Sequence, residues 1–328
     1  MMKRLSLILI TLCCLLVSTA ATAADKKDIS IGSWGTVDAS YFLAGAISNI
    51  LNEKLPYVNC IVVPSSSMKN TIGMEKGTIP IGWTQSEVLH FGPIKKAGGP
   101  FKKGEIFNKS RVLLYLGPSP MHAVVKADSK IKKITDINKN TKIGCFSPSS
   151  LGSVQTPLRY NGVKDGNYKL QFLNKNAQAE ALKDGNLDVS FQSGNFPHPV
   201  VQKLAKEIDI RLLPWDPKKI KKAVSENTNY VQARIPKDSY GKGIPPQDIT
   251  TMGTLITLGV SAHLDDKTVY DILKTIIENN DKIKAVHPDG RLFTIENTQY
   301  WIDQLIEQFP FHPGAKKYLA EKGVKFKN

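Results

Sequence analysis

Short apolar runs alternate with amphipathic helical patterns, and the alternation is laid down twice. This constrains the fold more than any other feature of the chain. Ile29 to Ile31 is a candidate strand. The helix that follows carries Leu43, Ile47, Ile50 and Leu51 at the spacing that buries one face. A second short strand, CIVVP, spans Cys60 to Pro64, and a helix near Met68 to Lys76 stops at Gly77, a residue suited to a helix C-terminus. IPIGWT, Ile79 to Thr84, closes this first unit as a third strand. Strand, helix, strand, helix, strand in this order predicts a parallel α/β unit.

The pattern then restarts. RVLLYLG (Arg111 to Gly117) and MHAVVK (Met121 to Lys126) read as two strands broken by Pro118 and Pro120. KIGCF, KLQFL and LDVSFQ are further strands, with a helix through AQAEALKDG that Gly185 closes. VVQKLAKE reads as helix and IRLLP as strand. The remainder differs: a strand at TLITLGVSA, then a helix capped by Asp265 with Val269, Ile272, Leu273, Ile276, Ile277 and Ile283 on one stripe. A helix near Ile295 to Phe309 and a short one opened by Pro313 complete the chain.

The N-terminus reads as a removable leader. Lys3 and Arg4 precede an apolar run, Leu5 to Val17, of about a dozen residues, and Ala21-Thr22-Ala23 is a cleavage pattern. Such a run is short for a membrane span. Residues 1–23 are therefore expected to be a secretory signal, and the mature protein to be periplasmic. Cys60 and Cys145 remain after cleavage and end separate apolar runs, so two buried free thiols are expected. The six histidines show no metal-ligand spacing, and no cofactor is expected. The formal charge is +15, but the lysines are spread as doublets such as Lys132-Lys133 and Lys218-Lys219. A nucleic-acid binder gathers basic residues with aromatics on one face, so no nucleic-acid partner is expected. The field the lysines create favours anionic ligands or an anionic membrane surface.

Four polar loops follow strands and are the candidate site, because ligands of open α/β sheets collect at the carboxyl ends of strands. The first, Gly32-Ser33-Trp34-Gly35-Thr36, lacks both the dinucleotide and the P-loop glycine patterns. Free N–H groups at a helix start there favour a negative charge; the alternative is an ordinary turn capped by Asp38 or Ser40. The others are Thr84-Gln85-Ser86-Glu87, Ser147 to Ser153, and Gln192-Ser193-Gly194-Asn195. Each offers neutral donors and none has a catalytic grouping. His122 reads as a packed or hydrogen-bonded histidine rather than a general base.

The ordered segments GSWGTVDASYFLAGAI, GMEKGTIPIGWTQSEV, SPMHAVVKADSKIKKITDI, ALKDGNLDVSF, IRLLPWD and FHPGAKKYLAEKG resemble the TAXI class of TRAP transporter solute receptors. The resemblance covers about Ile29 to Val324. It implies a two-lobed α/β periplasmic binding protein of the Venus-flytrap type, with mixed central sheets and C-terminal helices. Lobe I would span 28–115 plus 232–328, and lobe II 118–230. It implies a non-enzymatic receptor that captures a glutamate-like or other carboxylate and delivers it to TRAP permease subunits. Gly35, Thr36 and Tyr41 match the family's first glycine-rich loop, whereas Trp34, Val37 and Asp38 stand where it has glycines. Its glutamine-serine pair falls on Gln85 and Ser86. Its serine-glycine loop falls on Pro148 to Gly152, where only the proline and one serine match, and Pro157 interrupts the helix expected after it. Ser149 and Ser150 would hold the acidic group with Gly35 and Thr36. Gln85, Ser86, Gln192 and Asn195 would read polar ends, and Trp34 and Tyr41 would form walls. Two alternatives stand beside this: a receptor for an ABC-type importer of a sulfonate or heterocyclic precursor, and a secreted enzyme using the same cleft.

Overall fold

The structure is a computed structural model that describes residues 26–36, 38–89, 108–194, 197–306 and 309–327. The expected leader, Val37 and Asn195 lie outside the described residues. The first unit is β1 (Lys27–Ser33), α1 (Ala39–Lys54), β2 (Val58–Pro64), α2 (Ser67–Lys76) and β3 (Ile81–Gln85). A long strand, β4 (Ser110–Lys126), leads to the second unit. That unit is β5 (Lys142–Cys145), α3 (Leu151–Tyr160), β6 (Lys169–Phe172), α4 (Lys175–Lys183), β7 (Val189–Ser193), α5 (Pro199–Glu207), β8 (Ile210–Leu212) and α6 (Pro217–Glu226). The chain returns through β9 (Val231–Ile235) and β10 (Ile249–Ser261), then adds α7 (Asp266–Glu278), α8 (Asn280–Val286), α9 (Ile295–Gln304) and α10 (Pro313–Glu321).

Local chemistry explains the first unit. Asp38 caps α1 by accepting from the Ser40 N–H, and Leu43, Ile47, Ile50 and Leu51 are buried beneath the helix. Ser66 caps α2, and Gly77 ends it in the left-handed region at φ 74°. β1 pairs in parallel with β2 on one side and β3 on the other. α7 buries Val269, Ile272, Leu273 and Ile276 of its expected stripe, while Ile277 is half-buried and Ile283 is buried from α8, because the helix ends at Glu278. Each such side chain contributes roughly 1.5–3 kcal/mol on burial.

The two units are joined by β4 and β10, which pair antiparallel from Ser110↔Ser261 to Pro120↔Gly253. Here the sequence reading of two broken strands is corrected: β4 runs unbroken through Pro118 and Pro120. Both prolines precede Met121, where β7 begins to pair with β4 on its second flank. Their missing N–H groups therefore leave the ladder intact. Helix α3 likewise runs through Pro157 instead of being interrupted by it. A turn over Pro148–Ser150 precedes the helix.

Two hydrophobic cores result. One gathers Ile29, Ile31, Ile47, Leu114, Leu258, Ile272 and Trp301, so the C-terminal helices pack on the first unit. The other gathers Val124, Ile143, Leu158, Val189, Leu204 and Ile220. Ile235, Tyr240, Ile249 and Met252 pack in this second core, while Val231 packs in the first. The sheet is mixed: β10 is antiparallel to β3, β4 and β9, while β5 is parallel to β6 and β7. Cys60 and Cys145 are free and buried. Among the described residues no helix is long and apolar enough to cross a membrane.

Candidate functional site

β3, β5 and β7 end in polar loops, and the crossing of β4 and β10 lies between the units. A cavity of about 10 Å³ sits at this crossing, lined by Ser119, Met121, Ser153, Ser193, Met252 and Thr254. That is close to the space of one water. A second cavity, of about 30 Å³, lies within the first unit against Trp34, Asp38, Leu43, Trp83 and Phe293.

The opening loop turns out to serve a neighbour. The Asn70 amide on α2 donates to the carbonyls of Gly32, Ser33 and Trp83 at 3.0, 3.3 and 2.8 Å. Any side chain at Gly32 would collide with Asn70, and a Cβ at Gly82 would fall 2.8 Å from the Asn70 Cβ. Those two glycines make room for one buried amide that locks the ends of β1 and β3 together. Beyond it, the Trp34 N–H donates to Ser40 Oγ and its indole to Ser67 Oγ. Gly35 and Thr36 are exposed, and Trp34 and Tyr41 are half-buried. The N-terminus of α1 is occupied by the Asp38 carboxylate.

Of the second loop, Gln85 is half-buried. Ser86 is fully buried; its hydroxyl donates to the Asn229 carbonyl at 2.6 Å and accepts from the Leu255 N–H at 2.9 Å. It ties the end of β3 to the crossing strands. Glu87, in a helical turn over residues 86–89, is 5 % exposed. One carboxylate oxygen accepts from Ser153 at 2.7 Å, the other from Tyr230 at 2.9 Å. Ser153 opens α3 and Tyr230 precedes β9, so Glu87 bridges the two units. Burial pushes the Glu87 carboxyl up, against the pull of the two hydroxyls. Burial and then the Glu87 charge push the Tyr230 phenol well up. Gly152 is required here: its Cβ would stand 2.7 Å from the Tyr230 hydroxyl and 2.9 Å from Glu87.

The serine loop is held from within. Ser150 Oγ donates to the Ser147 carbonyl and accepts from the Ser147 N–H. Ser149 lies in the turn before α3. On the β7 side, Gln192 is buried, and its amide donates to the Lys175 carbonyl and Ser190 Oγ. Among the described residues its oxygen is buried without a hydrogen-bond partner. His122 is fully buried, its Nδ1–H donating to the Gln192 carbonyl at 3.0 Å. Nε2 then accepts from the Tyr240 hydroxyl at 2.7 Å, and that hydroxyl accepts the His198 N–H. Burial lowers His122 to about 4 and His198 further. His122 is thus a packed, hydrogen-bonded histidine.

Tyr230 and Lys175 escaped the sequence reading of the site, and Glu87 and Ser153 lay in two of its candidate loops without being given a role. Lys175 is half-buried in the first turn of α4. Burial lowers its ammonium, and the Asp38 carboxylate, facing it from the first unit, acts in the opposite sense. A signal was available: a lysine in the first turn opposes the helix dipole and needs another reason to be there. Among the described residues no group of histidine, cysteine, aspartate and glutamate is arranged to hold a metal.

Residues 31–323 match the NMT1-like family. The fold is that of periplasmic binding proteins. The periplasmic aliphatic sulphonate binding protein SsuA from Escherichia coli superposes with a TM-score of 0.51 at 14% identity, covering 90% of this chain and 79% of its own. The alkanesulfonate-binding protein SsuA from Xanthomonas axonopodis pv. citri, bound to MOPS, gives 0.51 at 15% identity, covering 91% of this chain and 85% of its own.

Proposed function

The chain belongs to the NMT1-like family, and on that premise we propose that it is a periplasmic solute receptor. It captures a small polar molecule between its lobes and hands it to a membrane permease. The observation that carries this reading is the geometry of the crossing. Two cores are linked by β4 and β10, Ser153 and Ser193 of the second unit line the cavity at the crossing, and Glu87 beyond β3 reaches across to Ser153 and Tyr230. Two continuous strands allow the units to hinge, and a solute held by both biases the closed arrangement. The space at the crossing fits about one water, so a solute enters only when the units part.

The resemblance to TAXI receptors suggested a carboxylate delivered to a TRAP permease. Neither the family match nor the two solved neighbours carries that finer assignment. Neighbours that bind sulfonates lie nearer the alternative, a receptor serving an ABC-type importer of a sulfonate or heterocyclic precursor. We favour that importer class. The secreted-enzyme reading is favoured by one observation, the Glu87–Tyr230 pair at 2.9 Å; turnover of a bound solute would establish it.

The test is thermal unfolding of residues 24–328, refolded from denaturant, against acids, amino acids, amines, sulfonates and heterocycles. A solute at a hundred times its Kd adds about 2.7 kcal/mol. A rise in Tm with one class, together with a compaction seen by small-angle scattering, supports the receptor. No rise with any class sinks it.

A further inference from the structure

The cleft presents two carboxylates of its own, Asp38 and Glu87, and its half-buried cation, Lys175, faces Asp38. The N-terminus of α1 is taken by Asp38. At the start of α3, Ser153 donates to Glu87, and the bare Cα of Gly152 makes room for Glu87 and the Tyr230 hydroxyl. Glu87 is 5 % exposed, and its only described polar contacts are two neutral hydroxyls. No cation among the described residues lies within ion-pair distance of it. A buried carboxylate without a counter-charge is costly, and each of its oxygens has a lone pair to spare. Ser153 donates to Glu87 and also lines the cavity at the crossing, so Glu87 stands one hydroxyl away from the space a solute enters.

We propose that Glu87 sets the specificity of the cleft by receiving a protonated amine of the solute. When the lobes part, the Glu87–Ser153 and Glu87–Tyr230 bonds separate across the junction, together with the Ser86–Asn229 bond. A solute ammonium then supplies the missing positive charge as they close again. A solute with an acid group alone brings a second negative charge to a site already holding one. This rests on the receptor reading and deepens it: the preferred solute carries an amine, whatever acid group accompanies it.

The experiment uses matched pairs that differ only in the amine: β-alanine against propionate, taurine against ethanesulfonate, with putrescine as an amine lacking an acid. Affinities are measured by calorimetry on refolded wild type, Glu87→Gln and Glu87→Asp. Glu87→Gln keeps the shape and removes the charge; one hydroxyl still donates to the amide oxygen, and the other must turn to accept from the amide nitrogen. The expected result is at least tenfold tighter binding of the amine member in wild type. That preference should fall at least tenfold in Glu87→Gln and be retained in part by Glu87→Asp. Equal binding of both members, or a preference untouched by Glu87→Gln, overturns the role of Glu87 and leaves the receptor standing. Binding of no member by wild type, with a rise in Tm from another solute class, also overturns it. A failure of every solute class overturns the receptor reading with it.

Discussion

Adding one methyl group at Gly253 should weaken the protein, while the same change at Gly45 should strengthen it. At Gly253 a Cβ would stand 2.7 Å from the Ser119 carbonyl oxygen, 3.0 Å from its carbon and 3.2 Å from the Pro120 Cα. All three are backbone atoms of the neighbouring strand, so no rotamer change relieves the contact. The strands must separate where one hinges on the other. Overpacking of this kind costs about 1–3 kcal/mol, offset by about 0.4–1 kcal/mol from the restricted unfolded chain. A net loss of about 1–2 kcal/mol remains. Gly45 lies inside α1 with no heavy atom within 4 Å of its Cβ position. Alanine there should add about 0.5–1 kcal/mol through helix propensity alone. With a guanidinium m value of roughly 5 kcal/mol/M for a chain this size, Gly253→Ala lowers Cm by about 0.2–0.4 M. Gly45→Ala raises it by about 0.1–0.2 M. The assay is equilibrium denaturation followed by tryptophan fluorescence and far-UV circular dichroism. A Gly253→Ala protein with Cm at or above wild type and an unchanged m value would refute the tight crossing.

Asn70→Asp should lower stability by several kcal/mol and by more than Asn70→Ala, because it turns a carboxylate toward three carbonyls; equal Cm values for the two variants would contradict this. Ser86→Ala orphans the Leu255 N–H and the Asn229 carbonyl, so it should cost about 1–3 kcal/mol with or without solute. A loss of solute affinity at full stability would instead make Ser86 a ligand contact. Acid should destabilise the protein through its histidines. His122 falls to about 4 from an ordinary 6.5, and His198 is lowered as well. Between these values the unfolded chain binds more protons, so their stabilisation is full above about pH 6.5 and is lost as pH falls toward 4. Glu87, raised by burial, acts oppositely: its folded form gains a proton as pH falls, which favours folding. The decline measured as Cm from pH 7.5 to 4.5 should therefore be steeper in Glu87→Gln and shallower in His122→Gln. Parallel curves for all three proteins would show that neither group governs the profile.

Much of this architecture was legible because its causes are local. The stripe of α7, the caps Asp38 and Asp265 and the stop at Gly77 act within one or two turns. The continuity of β4 was not, since Pro118 and Pro120 read as breaks until their unpaired flank is known. The site was legible in its loops and not in its contacts. Gln85, Ser86, Ser150 and Gln192 do lie at strand ends, yet Ser86 and Ser150 spend their hydroxyls on backbone groups. Glu87 stands in a loop that the sequence shows as neutral donors. Its importance comes from Ser153 and Tyr230, 66 and 143 residues away in the chain. No local pattern carries such pairings.

The sign of the charge is the sharpest case. The chain carries a formal +15, and this suggests an anionic ligand. Yet Lys132, Lys133, Lys218, Lys219, Lys316 and Lys317 are all exposed. Their fields fade over about 8–10 Å in physiological salt, and solvent screens each one individually. Glu87 is held at the junction of two cores, where water is scarce and a charge is screened less than at the surface. One buried carboxylate therefore decides more about the solute than a surplus of surface lysines. Those lysines act at long range, on the rate at which charged partners approach. The two effects are separable by ionic strength. Raising salt from 50 to 500 mM should change association rates while leaving the amine preference of the cleft in place. A preference that disappears with salt would place the discriminating charge at the surface and not at Glu87.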